Sequence, residues 1–360
     1  MRSPKASINE IDKGKRYRVF VEAGRDPKTG KRVRNSRVVR GSRKKAEQVK
    51  AEMLARVGDT ETIREDMTLD QFFDAMFMPD AKVRLRPTTV SGYAKHYDTH
   101  VRDDLGGLPL GKITPLSITL WLSGIDGQAR KFEAFKLLRL VLSKAVKWDL
   151  MDSNPCKRVD PPKKASYKPE VLDAQDAAVY LWHFEGHQIE PAVIIALGAG
   201  LRRSEICALD WADVTPSGAI SVHHGITVVD GKPHDDDTKT EFSHRTVHLP
   251  QSFADRLNTF RRPSGPVVTD SDGKRIHPDV LTRSYIRWRD KLPEGVPRVS
   301  LKNLRHSSLT ILVDSGVDIL TASRRAGHSN VGITSAYYLR PHATVDRAAA
   351  SRLDEAFESL

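Results

Sequence analysis

The stretch Gly-Leu-Arg-Arg-Ser-Glu-Ile-Cys-Ala-Leu, residues 200–209, follows directly on a largely apolar segment at 190–198. An apolar run of this length is typical of a buried helix. The backbone of Arg202 therefore lies near a core, while its guanidinium must find a charged partner. Glu205 stands three residues further on, where it can hold Arg202 or a backbone amide. The stretch predicts a helix-rich core with a cationic group at its edge.

Further along the chain the sequence adds Lys239, Lys302, Arg305, His328 and Tyr337. Arginines hold a phosphodiester by bidentate hydrogen bonds and neutralise charge on its non-bridging oxygens. A tyrosine hydroxyl is a nucleophile for covalent catalysis. Lys302 and Arg305 are three residues apart on one predicted helix, so both can approach one phosphate. Because the set contains no acidic metal-binding group, it predicts metal-free phosphoryl transfer without a cofactor.

The order of these residues resembles the tyrosine recombinase (phage integrase) family. The first box of that family, Gly-Leu-Arg-x-x-Glu-x-x-x-Leu, matches residues 200–209. Its lysine hairpin, Thr-Lys-Thr followed by Ser-x-Arg-x-x-x-Leu, matches residues 238–249. Its second box matches Arg305-His306, then Gly327-His328, then a tyrosine nine residues after that histidine. The resemblance is strong over residues 165–345 and looser upstream.

The resemblance implies a role for each matched residue. Tyr337 would attack a scissile phosphate to give a 3′-phosphotyrosyl link, and Lys239 would protonate the departing 5′ oxygen. Tyr338 competes as nucleophile, and the spacing from the histidine selects Tyr337; Lys232 competes with Lys239, which the Thr-Lys-Thr context favours. Lys302 stands where the family usually has a histidine. The implied catalytic residues are Arg202, Lys239, Lys302, Arg305, His328 and Tyr337, supported by Glu205.

The basic charge of the chain is concentrated at one end. The net charge is +12, and residues 1–60 contain 18 Lys and Arg against 7 Asp and Glu, a balance of +11. Such an excess is typical of a nucleic-acid-binding arm, and the alternative is a solvated tail. No run of eighteen apolar residues predicts a membrane span, and the first residues lack the apolar core of a secretory signal. We therefore expect a cytoplasmic protein without a membrane partner.

The first 60 residues have the pattern of a small sheet with one helix. Tyr17, Val19 and Val21 alternate with polar residues, as in a strand. A turn at 26–30 and renewed alternation at 31–40 predict a second strand, or a second and a third. Ser42 is typical of a helix N-cap, and the helix would run to about residue 56. This arrangement resembles the arm-binding domain of many phage integrases, with the DNA-contacting candidates Arg16, Arg18, Arg32, Arg34 and Arg37.

Residues 68–148 have a helical pattern. Helices are predicted to begin at Thr68, Pro87 and Thr114, and a fourth to span Lys131–Trp148 with one apolar face. Four such helices resemble the core-binding, SAM-like domain of tyrosine recombinases. Each basic residue on them is as consistent with an ordinary solvated charge as with a phosphate contact. The DNA-contacting candidates are Lys95, Lys131, Lys136, Arg139 and Lys144.

The remaining residues predict a mainly helical domain with a small antiparallel sheet. A Pro-rich, basic linker at 154–164 marks its beginning. Strands are expected within 217–250, with hairpin turns at Asp230-Gly231 and near Thr238, and helices at 301–314, 319–326 and around the tyrosine. His234-Asp235-Asp236-Asp237 is interpreted as a solvated turn rather than a metal site. Two cysteines, Cys156 and Cys207, are expected to be buried free thiols.

The predicted fold is therefore multidomain α+β: an arm-type DNA-binding domain (1–60), an all-α core-binding domain (61–163) and a catalytic domain (164–360). The family resemblance implies an integrase of a phage or related mobile element, acting as a homotetramer on double-stranded DNA with accessory DNA-bending and directionality factors. Alternatives are a conjugative-transposon or chromosome-resolution recombinase, or a non-catalytic DNA-binding protein on the same fold. A non-catalytic protein on this fold would be expected to lack the nucleophilic tyrosine or one of the arginines, and this sequence contains all of them.

Overall fold

The computed structural model describes residues 6–12, 15–25, 32–53, 67–164, 169–237, 244–327 and 357. The chain forms two compact units, Met1–Ser166 and Tyr167–Leu360. No helix within the described ranges is long and apolar enough to cross a membrane.

The first unit begins with a three-stranded antiparallel sheet of strands β1 (Ala6–Asp12), β2 (Arg16–Arg25) and β3 (Arg32–Arg40), in that order. Helix α1, residues 43–53, follows the sheet. Tyr17, Val19 and Val21 are buried together with Val39 and Ala46, which gives this region a small core of its own. Strand β1 was not anticipated from the sequence. The predicted turn at 26–30 and the end of α1 lie outside the described residues.

The helices of the first unit begin where the sequence predicted for three of four. Thr68 and Thr114 are the N-caps of two different helices. The backbone amide of Gln71 donates to the Thr68 hydroxyl at 3.2 Å, and the backbone amide of Ser117 donates to the Thr114 hydroxyl at 3.1 Å. The fourth predicted helix starts at Gln128, three residues earlier than expected. The helices are α2 (Leu69–Phe72), α3 (Met78–Arg84), α4 (Pro87–His100), α5 (Pro115–Gly124) and α6 (Gln128–Lys147).

Two π-helical turns join these helices, Phe73–Phe77 between α2 and α3 and Arg102–Gly106 after α4. The two turns are linked by an ion pair, because the guanidinium of Arg102 in the second turn binds Asp74 in the first at 3.0 Å. The same guanidinium binds Asp98 of α4 at 2.8 Å. The segment predicted as a linker is fastened to α6, because the Asn154 amide donates to the Arg139 carbonyl at 2.9 Å. It also contains a 3₁₀ turn, Pro155–Arg158. Its first part therefore belongs to the helical unit.

The second unit surrounds a buried helix. Helix α8 (Glu190–Gly198) is buried along its whole length, as its apolar sequence predicted. The other helices are α7 (Ala174–Trp182), α9 (Arg203–Ala208), α10 (Gln251–Asn258), α11 (Pro278–Arg289), α12 (Leu301–Asp314) and α13 (Ile319–Ala326). Strands β4 (Ala219–Val222) and β7 (Arg245–His248) form one two-stranded sheet, and β5 (His224–Val229) and β6 (Lys232–Asp237) form another.

The hairpin between β5 and β6 turns at Asp230-Gly231, where both residues have positive φ angles of 50° and 75°. This is the turn that an Asp-Gly pair favours, and it confirms that prediction. The interpretation of His234–Asp237 as a turn is wrong, because these residues lie in β6 and pair with His224–Thr227. The second predicted turn, near Thr238, lies outside the described residues. Both cysteines are buried free thiols, as expected.

Candidate active site

The structure describes four of the seven residues predicted for the catalytic site: Arg202, Glu205, Lys302 and Arg305. Lys239, His328 and Tyr337 lie outside the described residues, as does the helix expected to carry the tyrosine. Of the residues after Gly327 only Phe357 is described, and it is exposed. The geometry of the site is therefore that of its arginines and their supports.

The Gly-Leu-Arg triplet places Arg202 at the start of α9. Gly200 adopts a left-handed backbone with φ 66°, which turns the chain after α8. A Cβ atom on Gly200 would lie 3.4 Å from the Ser308 hydroxyl of α12, an ordinary contact, so the backbone conformation is what favours glycine here. Leu201 is buried and anchors the turn. Arg202 then emerges with its side chain 39% exposed.

Glu205 is the anchor of the site, as the sequence anticipated. Its carboxylate accepts the backbone amide of Arg202 at 2.7 Å and the Arg202 guanidinium at 2.8 Å. Only 4% of its side chain is exposed. Burial tends to raise the pKa of Glu205, but hydrogen bonds and charge from Arg245, followed by the charge of Arg202, hold that pKa below its usual value. The carboxylate is thus ionised at neutral pH.

Arg305 reaches the same place from α12. Its side chain is buried, and its guanidinium donates to the Gly200 carbonyl at 2.6 Å and to the Ala326 carbonyl at 2.5 Å. One of its nitrogens lies 3.9 Å from the Glu205 carboxylate. Two arginines that are 103 residues apart in the chain therefore meet at one carboxylate.

Three guanidinium groups bind three successive carbonyl oxygens at the end of α13. Arg245 donates to the carbonyl of Arg325 at 2.8 Å, Arg305 to that of Ala326 and Arg202 to that of Gly327 at 2.7 Å. The last carbonyls of a helix lack intrahelical partners and carry its negative dipole end, so they attract cations. We call these three oxygens the carbonyl row. His328 is the next residue of the chain.

Lys302 is exposed on the first turn of α12, while Arg305 is buried one turn further on. His306, next to Arg305, is buried as well. Its burial, followed by the charges of Lys302 and Arg305, lowers the pKa of His306 to about 4. His306 is therefore neutral at physiological pH, and the positive charge of this helix comes from Lys302 and Arg305.

Sequence reasoning missed three arginines that support the site. Arg245 is 8% exposed in its side chain and binds both oxygens of Glu205, at 3.1 and 3.0 Å. Arg325 donates to the carbonyls of Gly198 and His248 at 2.7 and 2.6 Å. Arg275 donates to the Ala208 carbonyl at the end of α9. The arginine position of the Ser-x-Arg-x-x-x-Leu motif was the available signal for Arg245.

The predicted DNA contacts of the arm domain are divided between the two faces of its sheet. Arg18 lies opposite Asn9 and Val38, on the face turned away from the buried residues. Arg37 lies opposite Val19, so it shares the face of the small core. Arg16 is exposed and pairs with Asp12 at 3.1 Å. For Arg32 and Arg34 the structure describes the backbone within β3 only.

The predicted contacts on the helices of the first unit are also not equivalent. Lys144 binds Asp80 at 3.0 Å and lies over the Trp148 ring, so its charge is used within the unit. Lys136 pairs with Glu133 at 3.1 Å while remaining largely exposed. Lys95 and Arg139 are exposed, and Lys131 is half-buried.

Two family profiles match the chain. The profile of the phage integrase family matches residues 179–343, which include both arginine segments of the site. The profile of the N-terminal SAM-like domain of phage integrases matches residues 68–125, the segment of helices α2 to α5.

Similar proteins cover most of the chain. A XerC-like tyrosine recombinase of Caldanaerobacter subterraneus subsp. tengcongensis is 25% identical over 92% of this chain and 94% of its own length. The integrase of Mycobacterium phage D29 is 28% identical over 72% of both chains. The ICEBs1 integrase of Bacillus subtilis is 23% identical over 97% of this chain and 99% of its own.

Solved structures show the same fold. The Tn1549 transposon integrase in complex with transposon right end DNA has a TM-score of 0.66 at 19% identity, covering 80% of this chain and 100% of that one. A lambda integrase tetramer bound to a Holliday junction has a TM-score of 0.61 at 18% identity, covering 95% and 97%. The two profiles and the related recombinases show that the chain belongs to the tyrosine recombinase (phage integrase) family, whose members are site-specific DNA recombinases.

Proposed function

We propose that this recombinase integrates and excises a phage or related mobile element by cleaving and rejoining DNA through a 3′-phosphotyrosine at Tyr337. The observation that carries the proposal is the meeting of Arg202 and Arg305 at Glu205 and at the carbonyls of Ala326 and Gly327. This arrangement binds two guanidinium groups to the two residues that precede His328 in the chain. Tyr337 follows His328 by nine residues, the spacing found in the family motif.

In the proposed reaction the Tyr337 hydroxyl attacks the phosphorus of the scissile phosphodiester. The hydroxyl loses its proton to water as the phosphorus–tyrosine oxygen bond forms, the bond to the 5′ oxygen breaks, and Lys239 gives that oxygen a proton, which the lysine recovers from the attacking 5′ hydroxyl in the second step. The free 5′ hydroxyl of a partner strand then attacks the phosphotyrosine, which restores the phosphodiester and releases the tyrosine. The number of phosphoester bonds is unchanged, so the reaction needs no nucleotide, and the proposal assigns to the arginines the charge stabilisation that a metal ion would otherwise supply.

Arg202 and Arg305 would stabilise the negative charge that builds on the non-bridging oxygens during both steps. Charge-assisted hydrogen bonds from fixed donors stabilise such a transition state, because the donors need no reorganisation. Arg202 uses two of the five N–H groups of a guanidinium for Glu205 and Gly327, and its partial exposure leaves it accessible to a phosphate. Lys302 and His328 would contribute further donors to the same phosphate.

Double-stranded DNA is the proposed partner, at core sites for the helical domain and at arm sites for the sheet of β1 to β3. We place the domain limits at 1–60, 61–163 and 164–360, with the second limit three residues from the division between the compact units. The active assembly is proposed to be a homotetramer, as in the lambda integrase structure, with accessory DNA-bending or directionality factors. The site of action would be the DNA of a bacterial host, in the cytoplasm.

A conjugative element is the second candidate for the DNA that is moved. The ICEBs1 integrase, which is similar over nearly the whole of both chains, favours it. The basic sheet before the core-binding helices argues against a chromosome-resolution enzyme, because such enzymes generally begin at the core-binding domain. Sequencing the DNA that flanks the gene distinguishes a prophage from a conjugative element.

The cleavage step can be tested by covalent trapping. A nicked duplex that carries the attachment site from the flanking DNA should capture the wild-type protein as a covalent adduct, with or without EDTA. Tyr337→Phe should form no adduct while binding the duplex with nearly unchanged affinity, because only the attacking oxygen is removed. Tyr338→Phe is the matched control and should still form the adduct. An adduct with Tyr337→Phe, or a strict Mg²⁺ requirement for the adduct, would contradict the mechanism.

A further inference from the structure

Arg245 links three segments of the site through one guanidinium. It belongs to β7, the strand that begins six residues after Lys239. Its terminal nitrogens bind both carboxylate oxygens of Glu205 in α9, and its Nε donates to the Arg325 carbonyl at the end of α13. We call this set of three hydrogen bonds from one planar guanidinium a fork, and a lysine cannot reproduce its geometry.

The charge balance of the site depends on this residue. Glu205 is a buried carboxylate with Arg245, Arg202 and Arg305 around it, at 3.0, 2.8 and 3.9 Å. Both Glu205 oxygens accept from Arg245, whereas Arg202 uses one of them for its guanidinium. Without Arg245, the ionised carboxylate would attract Arg202 and Arg305 more strongly and would compete with a phosphate for their donors.

We propose that Arg245 is a positioning residue for strand cleavage: it neutralises Glu205 and binds the first oxygen of the carbonyl row, so that Arg202 and Arg305 keep their charge directed at the scissile phosphate. The inference rests on the proposed function of Arg202 and Arg305. Arg245 itself acts through Glu205 and need not touch DNA. It also ties the strand after Lys239 to Arg325, three residues before His328.

The test measures cleavage and DNA affinity separately. Single-turnover adduct formation on the nicked duplex gives the cleavage rate, and binding of an unnicked duplex gives the affinity. Arg245→Gln should cleave roughly 10–100-fold more slowly, the range for loss of a residue that orients a catalytic group, with an affinity within about threefold of wild type. Arg245→Lys should lie between this variant and wild type, because it keeps the charge and loses the fork.

The double variant Arg245→Gln, Glu205→Gln separates the charge argument from a packing role. Removing the carboxylate removes the competitor for Arg202 and Arg305, so the double variant should cleave faster than Arg245→Gln alone. Arg256→Gln is the matched control: Arg256 binds the buried Glu190 at the far end of α8, and its loss breaks a similar pair away from the arginines. It should lower stability and leave the cleavage rate of the folded protein unchanged.

Three results would overturn the inference. The first is a wild-type cleavage rate for Arg245→Gln, and the second is a loss of cleavage by Arg245→Gln that is explained by its unfolded fraction alone, as for Arg256→Gln. The third is a double variant that cleaves no faster than Arg245→Gln. If Arg245→Gln does not fold, the same comparison is made with Arg245→Met, which also removes the charge, against Arg245→Met, Glu205→Gln. Failure of the wild-type protein to form an adduct would instead contradict the proposed function.

Discussion

Gly327 shows why the Gly-His pair of this site begins with glycine. Its backbone is left-handed, with φ 66°, and it ends α13 as a C-cap. A Cβ atom at this position would lie 2.8 Å from a terminal nitrogen and 3.0 Å from the Cζ of Arg245. Arg245 cannot move aside easily, because Glu205 and the Arg325 carbonyl hold its guanidinium. The glycine therefore satisfies both a backbone requirement and a steric one.

These two requirements can be separated by comparing two alanine variants. Gly295 has a similar φ of 88°, but a Cβ atom added there would have no other atom within 4 Å. Gly295→Ala should lower the free energy of unfolding by about 1–2 kcal/mol, the cost of a left-handed alanine, and Gly327→Ala should lower it by at least as much. Only Gly327→Ala should also slow adduct formation, because it displaces Arg245. Equal cleavage rates for the two folded variants would contradict the steric role.

His306 predicts a pH dependence of stability with a definite sign. Its folded-state pKa is about 4, against an ordinary value of 6.5. Below about pH 6.5 the unfolded chain therefore binds a proton that the folded chain does not, and stability falls as the pH is lowered towards 4. The loss between about pH 7.5 and pH 5 should be about 2 kcal/mol.

Urea unfolding of wild type and His306→Gln at the two pH values measures this loss. The variant should lose less stability on acidification than wild type. His234→Gln, at an exposed position of β6, is the control and should behave as wild type. An identical acid loss in wild type and His306→Gln would show that another group is responsible.

The two arginines proposed to contact the scissile phosphate were predictable from the sequence, and of their supports only Glu205 was. Arg202 and Arg305 were recognised by their motifs, and Glu205 by its spacing from Arg202. Arg245 stands in the matched Ser-x-Arg-x-x-x-Leu motif, but the motif alone assigns it no role. Its partners are 40 and 80 residues away, so only tertiary packing reveals that its side chain is buried against Glu205 and α13.

At the scale of elements, α9 is a short helix that is held at both ends. Its first turn is fixed by the Glu205 contact with the Arg202 amide. At its last turn, Arg275 donates to the carbonyls of Cys207 and Ala208 at 3.0 and 2.6 Å and forms a fork with Asp210. A helix of six residues is not stable by itself, so these contacts and its packing keep Arg202 in place.

Loss of the Arg275 contacts at the last turn of α9 should therefore loosen the helix and misplace Arg202 at its other end. Arg275→Gln should lower stability by about 1 kcal/mol, since this partly exposed pair is screened by solvent, and should slow cleavage severalfold. Arg261→Gln is the control, because Arg261 donates to the Val214 carbonyl and lies over the Trp211 ring, and both residues follow α9 in the chain. Equal cleavage by the two variants would mean that α9 is held by packing alone.

Elements with local signals were predictable, and those formed by pairing alone were not. Thr68, Thr114 and Asp318 each cap the helix that follows, and Asp230-Gly231 forms the expected turn. Strand β1 is an edge strand with most residues exposed, so it has little hydrophobic alternation to detect. The acidic residues of β6 favour a turn by composition, but pairing with β5 makes them a strand.

At the scale of the whole molecule, the basic residues of the sheet of β1 to β3 offer a test of its proposed binding to arm-site DNA. Arg18 and Arg37 carry the same charge and lie on neighbouring strands, on opposite faces of one sheet. If the face of Arg18 meets DNA, Arg18→Gln should weaken arm-site binding by the full chain and lower the slope of log affinity against log salt by about one. Arg37→Gln should have a smaller effect on both. Equal losses would show that the arm acts through its overall charge rather than through one face.

The carbonyl row makes the site sensitive to insertions and deletions rather than to substitutions. Its acceptors are backbone atoms of Arg325, Ala326 and Gly327, and Asp318 fixes the start of the helix that presents them. Each added or missing residue in α13 would rotate these oxygens by about 100° and shift them by about 1.5 Å. All three guanidinium contacts would then fail together, whereas one substitution removes at most one arginine. The number of residues between Asp318 and Gly327 is thus a stricter constraint on this recombinase than the identity of most side chains in that interval.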